Sequence, residues 1–419
     1  MESTDNSSIP KPSVSNFILA PFTYQKMLRD HFKKRDKTWQ WFGDKKIKEQ
    51  QVAEFKEMLL KNTYRLDKET HKNLYDMCVK ICEVLAIDAD VTLYQEHNST
   101  QLNAGISIFE KEAHIVFSGS LINLLSEDEM LSLLAHELSH YLFYKMDNEE
   151  FEITQRIILA LANDDRSEDA IIETARIFQL YMELFCDAGS LLVCKDYKTV
   201  IQTLVKLNTG LTEVNAESYL NQAKEILERD SKATSNDSHP ESYIRSIALS
   251  LRAEGSEEYI SKVKQMIEGE LNMSTLDIFK QVEMQELTYD VLQLIVKPDW
   301  MNTSAVQNLC GQYFNDFYRK TESKNLEELR KKIARTDVSV QNYLSYVLLD
   351  FSKVDAELEL VPLAHTFEIA EMLQLNDEYE KTVSKELKLT VRDLKLLQEK
   401  AMAELQQVKE GKDSSIYSE

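Results

Sequence analysis

Glycine and proline are scarce in this sequence, with nine glycines and six prolines among 419 residues. Because both residue types interrupt helices, their scarcity disfavours loop-rich and all-β folds and favours helix. Hydrophobic residues make up 43% of the chain, which is typical of folded domains and excludes a chain that is disordered throughout. This length leaves room for two or three domains and at least one sizeable core.

Positive charge is scarce as well: 49 Lys and Arg residues stand against 71 Asp and Glu residues, for a net charge of −22. Such an acidic surface repels phosphate backbones and anionic lipid head groups, so we expect no nucleic-acid partner. Solubility is the simplest role for this charge. A basic or unfolded, partly cationic polypeptide remains compatible with it as a substrate.

Cysteine is rare and odd in number. The five cysteines are Cys78, Cys82, Cys186, Cys194 and Cys310. Without a secretory framework around them, they are predicted to be buried free thiols in a reducing compartment. Cys78 and Cys82 are four residues apart on a predicted helix, as metal ligands can be, but no second cysteine pair completes a site. We therefore interpret both as core residues.

Long apolar stretches are also missing. No run of 18 apolar residues occurs, and the N-terminal stretch "MESTDNSSIPKPSVSN" lacks the apolar segment of a signal peptide. We therefore expect no membrane span and a cytoplasmic location. The polar ends of the chain, residues 1–16 and 411–419, are predicted to be flexible tails.

Helical periodicity dominates the rest and predicts an α+β fold that is mainly α. We expect an N-terminal helical segment (17–66), a larger domain (67–268) and an all-helical region (270–410). Three short β-branched or aromatic stretches are the predicted strands of a small antiparallel sheet, the last two joined by a hairpin turn. They are residues 91–95, 103–109 and 114–118.

Two histidines and a glutamate stand inside the apolar stretch "LLAHELSHYLF" (133–143). A capping-box pattern at Ser126 and Glu129 predicts the start of the helix that carries them. His136 and His140 are four residues apart and so share one helix face, where both imidazoles can bind one zinc ion. Glu137 can then accept a proton from a metal-bound water, as in other H-E-x-x-H sites.

A catalytic zinc needs a third protein ligand. "YMELFCDAGSLL" (181–192) offers Glu183 and Asp187 on one face of a later predicted helix. Glu183 can bind the metal, while Asp187 can accept an N–H from a ligand histidine. His114 and His239 are the competing third ligands.

The metzincin pattern is excluded. Phe143 stands at the glycine position of H-E-x-x-H-x-x-G-x-x-H, and Met146 stands at its last histidine position.

The run "LNAGISIFEKEAHIVFSGSLINLLSEDEMLSLLAHELSH", followed by "ELFCDAG", resembles the HtpX-like and CAAX-prenyl endopeptidases, the gluzincin family M-forty-eight. "SNDSHPESYIRSIAL" is similar to the H-P segment of that family. The resemblance covers about residues 68–253 and implies a zincin-like domain with one zinc per chain. Many members of the family are membrane-embedded, whereas this sequence is predicted to have no span.

The resemblance also implies roles for single residues. His136, His140 and Glu183 match the zinc ligands, and Glu137 matches the general base. Asp187 matches the carboxylate that supports a ligand histidine.

Further positions match the surroundings of the family's active site. Asn103 and Ala104 match the edge strand along which an extended peptide is laid. His239 stands near the active site, where it or Tyr243 would stabilise the oxyanion, and Arg245 would hold the loop of His239. Cys186 replaces a common alanine, and we expect it to point away from Glu183.

The flanking regions are less informative. Trp39, Trp41 and Phe42 alternate with other residues, which favours a short strand or an anchoring loop that packs on the domain or covers its cleft. The C-terminal region is faintly similar to TerB-like helical domains and is a candidate module for a protein partner. His365 lies on an apolar helix face and is predicted to be a core residue.

The sequence thus predicts a soluble zinc endopeptidase that hydrolyses peptide bonds in polypeptides. The alternative is a latent or inactive metallopeptidase-like scaffold that acts through its C-terminal helical domain.

Overall fold

The computed structural model describes residues 17–44, 48–229, 233–320 and 325–411. Apart from Gly411, the two predicted tails lie outside the described residues. The chain forms two compact units, Met1–Gly269 and Glu270–Glu419. The division of labour between a peptidase domain and an accessory domain remains a prediction.

The first unit combines helices with one small sheet. Its elements are α1 Thr23–Lys33, α2 Asp36–Gly43, α3 Lys48–Asn62, β1 Thr63–Arg65, α4 Lys72–Leu85, β2 Asp90–Glu96, β3 Asn103–Phe109, β4 Glu112–Ser118, α5 Leu121–Leu124, α6 Glu127–Lys145, α7 Glu150–Ala162, α8 Asp169–Cys194, α9 Tyr197–Thr209, α10 Ala216–Arg229, α11 Ser242–Glu254 and α12 Tyr259–Ile267. This composition confirms the predicted α+β, mainly α class.

The sheet has the strand order β1-β2-β4-β3. β3 and β4 form the predicted antiparallel hairpin, but β2 and β4 run parallel, with Asp90 opposite Glu112 and Gln95 opposite Phe117. The prediction of a purely antiparallel sheet was therefore wrong. The strand that follows β2 in sequence, β3, lies at the far edge of the sheet, and β4 lies between them. The sequences of three short strands do not determine this order. Strand β1 falls in a stretch predicted to be helical, because three residues are too short to show a period of two.

The sheet, α4 and α6 share one hydrophobic core. Ile115 and Phe117 of β4 are fully buried there, together with Leu134 and Leu138 of α6. Ile115 and Phe117 are two residues apart, as residues on one face of a strand are. Leu134 and Leu138 are four residues apart, as residues on one face of a helix are. This core sets which face of α6 is left for the histidines.

Helices α6 and α8 approach each other closely. A Cβ added to Gly189 of α8 would lie 2.0 Å from Oγ of Ser139 on α6. Two turns away along α6, the hydroxyls of Ser132 and Ser190 are hydrogen-bonded at 2.8 Å. Small side chains at this contact bring the two motif-bearing helices side by side.

Helix α8 is long and apolar enough to cross a membrane by length and composition alone. However, 83% of its apolar window is buried inside the structure, and the central helix of a folded domain meets the same criteria. Its Glu183 and Asp187 are buried as well. The helix therefore supplies no clear membrane span.

The N-terminal segment packs by α1, whose Leu28 and Phe32 are buried. Trp39, Trp41 and Phe42 lie on helix α2, so the predicted strand or loop was wrong. On this short helix the side chain of Trp41 faces solvent and is 64% exposed. None of the described residues between 17 and 66 lines the cleft that is discussed below.

The second unit is built from helices around its own core. They are α13 Ile278–Ile295, α14 Ser304–Tyr313, α15 Leu326–Ile333, α16 Val338–Ser352, α17 Val361–Leu373, α18 Asn376–Leu387 and α19 Val391–Lys409. His365 of α17 is buried, as predicted, and its Nε2 lies 3.1 Å from the carbonyl oxygen of Ile295.

Candidate metal centre

The start of α6 is fixed by polar contacts. Ser126 Oγ accepts a hydrogen bond from Glu129 N at 3.4 Å, and the Glu129 carboxylate accepts one from Ser126 N at 2.8 Å, as the predicted capping box requires. The same carboxylate lies 2.8 Å from Nζ of Lys206 on α9, and both side chains are buried. This contact joins the first turn of α6 to α9 and restrains rotation of the helix about its axis.

His136, His140 and Glu183 meet where α6 and α8 face each other. Nε2 of His136 is 3.3 Å from Oε2 of Glu183, and Nε2 of His140 is 3.7 Å from Oε1. Two ligand atoms at about 2.05 Å from a tetrahedral zinc are separated by about 3.3 Å. The carboxylate of Glu183 thus lies from each histidine nitrogen at about the separation of two ligands of one metal ion.

Glu183 has an unsatisfied atom in this position. It is 1% exposed, and Oε2 has no hydrogen-bond donor among the described residues. Burial alone would raise the pKa of Glu183, but His136, His140 and Arg245 hold it well below its usual range. A buried carboxylate that stays ionised needs positive charge nearby. Arg245, whose Nη2 is 3.8 Å from Oε2, supplies part of that charge, and a divalent metal between the histidines would add to it.

Asp187 orients the first histidine. It lies one helical turn after Glu183, and its Oδ1 is 3.1 Å from Nδ1 of His136. With Nδ1 donating to this carboxylate, Nε2 of His136 is the nitrogen left to bind a metal. The sequence placed Asp187 in this supporting role, and the geometry is consistent with it.

Arg245 of α11 completes the support. Its Nε and Nη2 donate to the two oxygens of Asp187 at 2.8 and 2.6 Å. Burial opposes ionisation of Asp187, yet Arg245 holds its pKa below the usual value. Arg245 was predicted to hold the loop of His239, whereas its observed hydrogen bonds are to Asp187, the carboxylate beside His136.

Glu137 is buried next to the first histidine, and it lines the same cleft. Burial and the charge of Glu183 raise the pKa of Glu137 to about 7. A carboxylate with this pKa exchanges protons readily near neutral pH.

A cleft of about 780 Å³ opens over these side chains. Asn103 and Ala104 line one side of it, at the start of the edge strand β3. Among the described strands β3 pairs only with β4, so its other edge is available for backbone hydrogen bonds. Tyr243 also contributes to the lining.

His239 stands at the mouth of this cleft. Its Nε2 is 3.5 Å from Oε2 of Glu183, and its side chain is 58% exposed. Ser238 Oγ lies 2.9 Å from Nδ1. The structure thus brings His239 to the predicted site, and both of its predicted roles, ligand or oxyanion donor, remain compatible with this place.

His114 does not join them. It is buried on β4, where Nδ1 is 3.1 Å from the Tyr94 hydroxyl and Nε2 is 2.9 Å from Glu112. With both ring nitrogens engaged outside the cleft, it does not compete as a third ligand.

Cys186 lies beside the two histidines, a place that the expectation that it points away from Glu183 did not foresee. Its Sγ and one ring nitrogen each of His136 and His140 all lie within 4.8 Å of one another. Residues three apart on a helix share a face, so the spacing from Glu183 to Cys186 was the signal that sequence reasoning missed. Burial, together with Glu183, Glu137 and Asp187, raises the pKa of this thiol well above its usual value.

Comparison with known proteins supports a metallopeptidase-like family. The SprT-like family matches residues 77–154, which include H-E-x-x-H. Plastoglobule-localized metallopeptidase 48, chloroplastic, of Arabidopsis thaliana is 30% identical over 179 residues, or 40% of this chain and 51% of the relative. The chain thus spans about half the length of this curated relative. No solved structure matches. The chain is thus similar to metallopeptidase-like proteins, and the assignment to the HtpX-like and CAAX-prenyl endopeptidases remains a prediction.

Proposed function

We propose that this chain is a zinc-dependent endopeptidase of the HtpX-like, gluzincin type. The observation that carries the proposal is the convergence of His136, His140 and Glu183, from two packed helices, at the spacing of tetrahedral ligands. The unsatisfied oxygen of Glu183 and the metallopeptidase-like relatives support it.

Glu137 is the proposed general base. Zinc, when bound, would polarise the scissile carbonyl and lower the pKa of the attacking water. Glu137 would take the proton of that water and pass it to the leaving amine. Burial raises its pKa above that of an exposed carboxylate, which makes it a better proton acceptor.

The other cleft residues would bind and orient the substrate. Asn103 and Ala104 would pair their backbone with an extended peptide, since they lie on an edge strand beside the histidines. His239 or Tyr243 would donate a hydrogen bond to the oxyanion. Asp187 would keep His136 in the tautomer that binds metal, with Arg245 holding Asp187 in place.

A polypeptide is the substrate class that this chemistry implies. A cytoplasmic location and a protein partner for the helical region 270–410 are part of the same proposal. The latent-scaffold alternative is favoured by one observation, the closeness of Cys186 to both histidines.

Zinc content tests the proposed ligand set. We expect about one zinc per chain by elemental analysis of the wild-type protein, and much less in Glu183→Ala. Glu173→Ala is the matched control, because Glu173 lies on the same helix but pairs with Arg176. Equal zinc in both variants, or none in wild-type protein prepared without chelators, would contradict the site.

Hydrolysis tests the proposed base. Glu137→Gln should keep its zinc and lose cleavage of a labelled unfolded protein such as casein. Undiminished cleavage by Glu137→Gln would exclude this role for Glu137.

A further inference from the structure

The proposed zinc site contains one more donor atom than the proposed mechanism uses. Cys186 is fully buried, and its Sγ lies within 4.8 Å of a ring nitrogen of both His136 and His140. Among the described residues, Cys186 and the two histidines form the only group of three or more potential metal ligands. The other free cysteines of the described chain belong to no such group.

The distances are compatible with a bond from sulfur to the same metal. In a tetrahedral zinc site, a nitrogen at about 2.05 Å and a sulfur at about 2.3 Å are separated by about 3.6 Å. Since the present separations are within 4.8 Å, each must shorten by roughly 1.2 Å or less, which is within the range of a rotation about the single χ1 bond of cysteine.

Charge favours the same arrangement. Glu183, Glu137 and Asp187 disfavour a thiolate at Cys186 while no metal is bound, but a divalent ion reverses that field. Asp187 is paired with Arg245, so Glu183 is the carboxylate among the proposed ligands that faces such an ion. One carboxylate leaves a net positive charge in a buried site, and a second anionic donor removes it. A cysteine thiolate is such a donor, and thiolates bind zinc strongly.

We propose that Cys186 is the fourth protein ligand of the resting metal centre. The proposal rests on the proposed zinc site and deepens it. Cys186 would release its proton to solvent when the sulfur binds. Because four protein ligands fill a tetrahedral site, the position that the attacking water needs is closed until the sulfur leaves. The centre would thus be latent at rest, with Cys186 as its controlling residue.

X-ray absorption at the zinc edge tests this on the full-length zinc protein. We expect one sulfur scatterer at about 2.3 Å in addition to nitrogen and oxygen at about 2.0–2.1 Å. The sulfur shell should be lost in Cys186→Ala, while the zinc content stays near that of the wild type. Cys194→Ala is the matched control, since Cys194 lies on the same helix two turns further on, and it should keep the sulfur shell.

Cobalt provides a second measurement. The cobalt-substituted wild type should show a near-ultraviolet sulfur-to-cobalt charge-transfer band, which Cys186→Ala loses while its visible d–d bands remain.

The outcomes separate this inference from the proposed function. Zinc with nitrogen and oxygen neighbours alone, or a sulfur shell that survives in Cys186→Ala, overturns the role of Cys186 and leaves the zinc site standing. Absence of bound zinc and cobalt overturns both.

Discussion

Arg245 donates two parallel hydrogen bonds to the carboxylate of Asp187, from Nε at 2.8 Å and from Nη2 at 2.6 Å. The two residues are 58 positions apart in sequence, and both are buried. Because Asp187 also meets Nδ1 of His136, this ion pair connects α11 to the proposed metal ligand. Its geometry leads to the first two predictions.

Asp187→Asn should weaken zinc binding under conditions where the variant is still folded, and it should also lower stability because buried Arg245 loses its charged partner. The amide keeps the size of the carboxylate but not its charge, so it accepts a weaker hydrogen bond from Nδ1–H of His136, and changes of this kind reduce metal affinity by roughly 10–100-fold. Competition with a chromophoric chelator measures the effect. Asp169→Asn, at the start of the same helix, should bind zinc like the wild type. Equal affinities for both variants would refute the supporting role.

Arg245→Ala should destabilise the first unit by about 3–5 kcal/mol, because it leaves the Asp187 charge buried without its partner. Urea unfolding followed by circular dichroism measures this change. Arg166→Ala is the control, since that side chain is 89% exposed, and it should unfold like the wild type. A loss below ~1 kcal/mol for Arg245→Ala would show that the pair is not needed for the fold.

Gly189→Ala should destabilise the protein although alanine is the better helix former. The new Cβ would overlap Oγ of Ser139 at 2.0 Å, and overpacking of this kind lowers the free energy of unfolding by about 1–3 kcal/mol. Ser139→Gly in the same chain should restore part of the loss. Thermal unfolding is the measurement.

Gly311→Ala on α14 is the matched control, because nothing lies within 4 Å of its added Cβ. There the substitution should be neutral or raise the stability by up to ~1 kcal/mol. If Gly189→Ala and Gly311→Ala changed the stability in the same direction, the close contact between Gly189 of α8 and Ser139 of α6 would be contradicted.

Lys206→Met should disturb the start of α6. It removes the partner of buried Glu129, which is expected to lower the free energy of unfolding by roughly 3–5 kcal/mol. Adding Glu129→Gln removes the unpaired charge and should recover part of that loss. If the double variant is no more stable than Lys206→Met, the interpretation as a buried ion pair fails. Urea unfolding of the wild type, the two single variants and the double variant gives the coupling energy between Lys206 and Glu129.

Acid should destabilise the second unit through His365. Burial lowers the pKa of His365, and its hydrogen bond to Ile295 opposes this only in part. Below the unfolded-state pKa of about 6.5 the unfolded chain binds a proton that the folded chain does not, so stability falls as the pH falls. His365→Gln should lose less stability than the wild type between pH 7 and pH 5 in thermal unfolding. Parallel pH curves for the two proteins would contradict the assignment.

Several features of this chain are local and could be predicted from sequence. His136 and His140 share a face because an α-helix has 3.6 residues per turn, and the capping box at Ser126 marks where that helix begins. The three longer strands begin and end within a few residues of their predicted bounds. Local hydrogen bonding and side-chain periodicity determine these features, and both are visible in a single sequence.

Other features depend on which elements meet in space. The parallel pairing of β2 with β4, the grip of Arg245 on Asp187 and the contact of Lys206 with Glu129 each join residues that are distant in sequence. The position of Cys186 depends on how closely α6 and α8 pack, which Gly189 permits. The sequence by itself determined that α6 and α8 carry the candidate metal ligands. Only the tertiary structure decided which of those residues face one another, because strand order, helix contact and side-chain direction follow from packing of the whole unit.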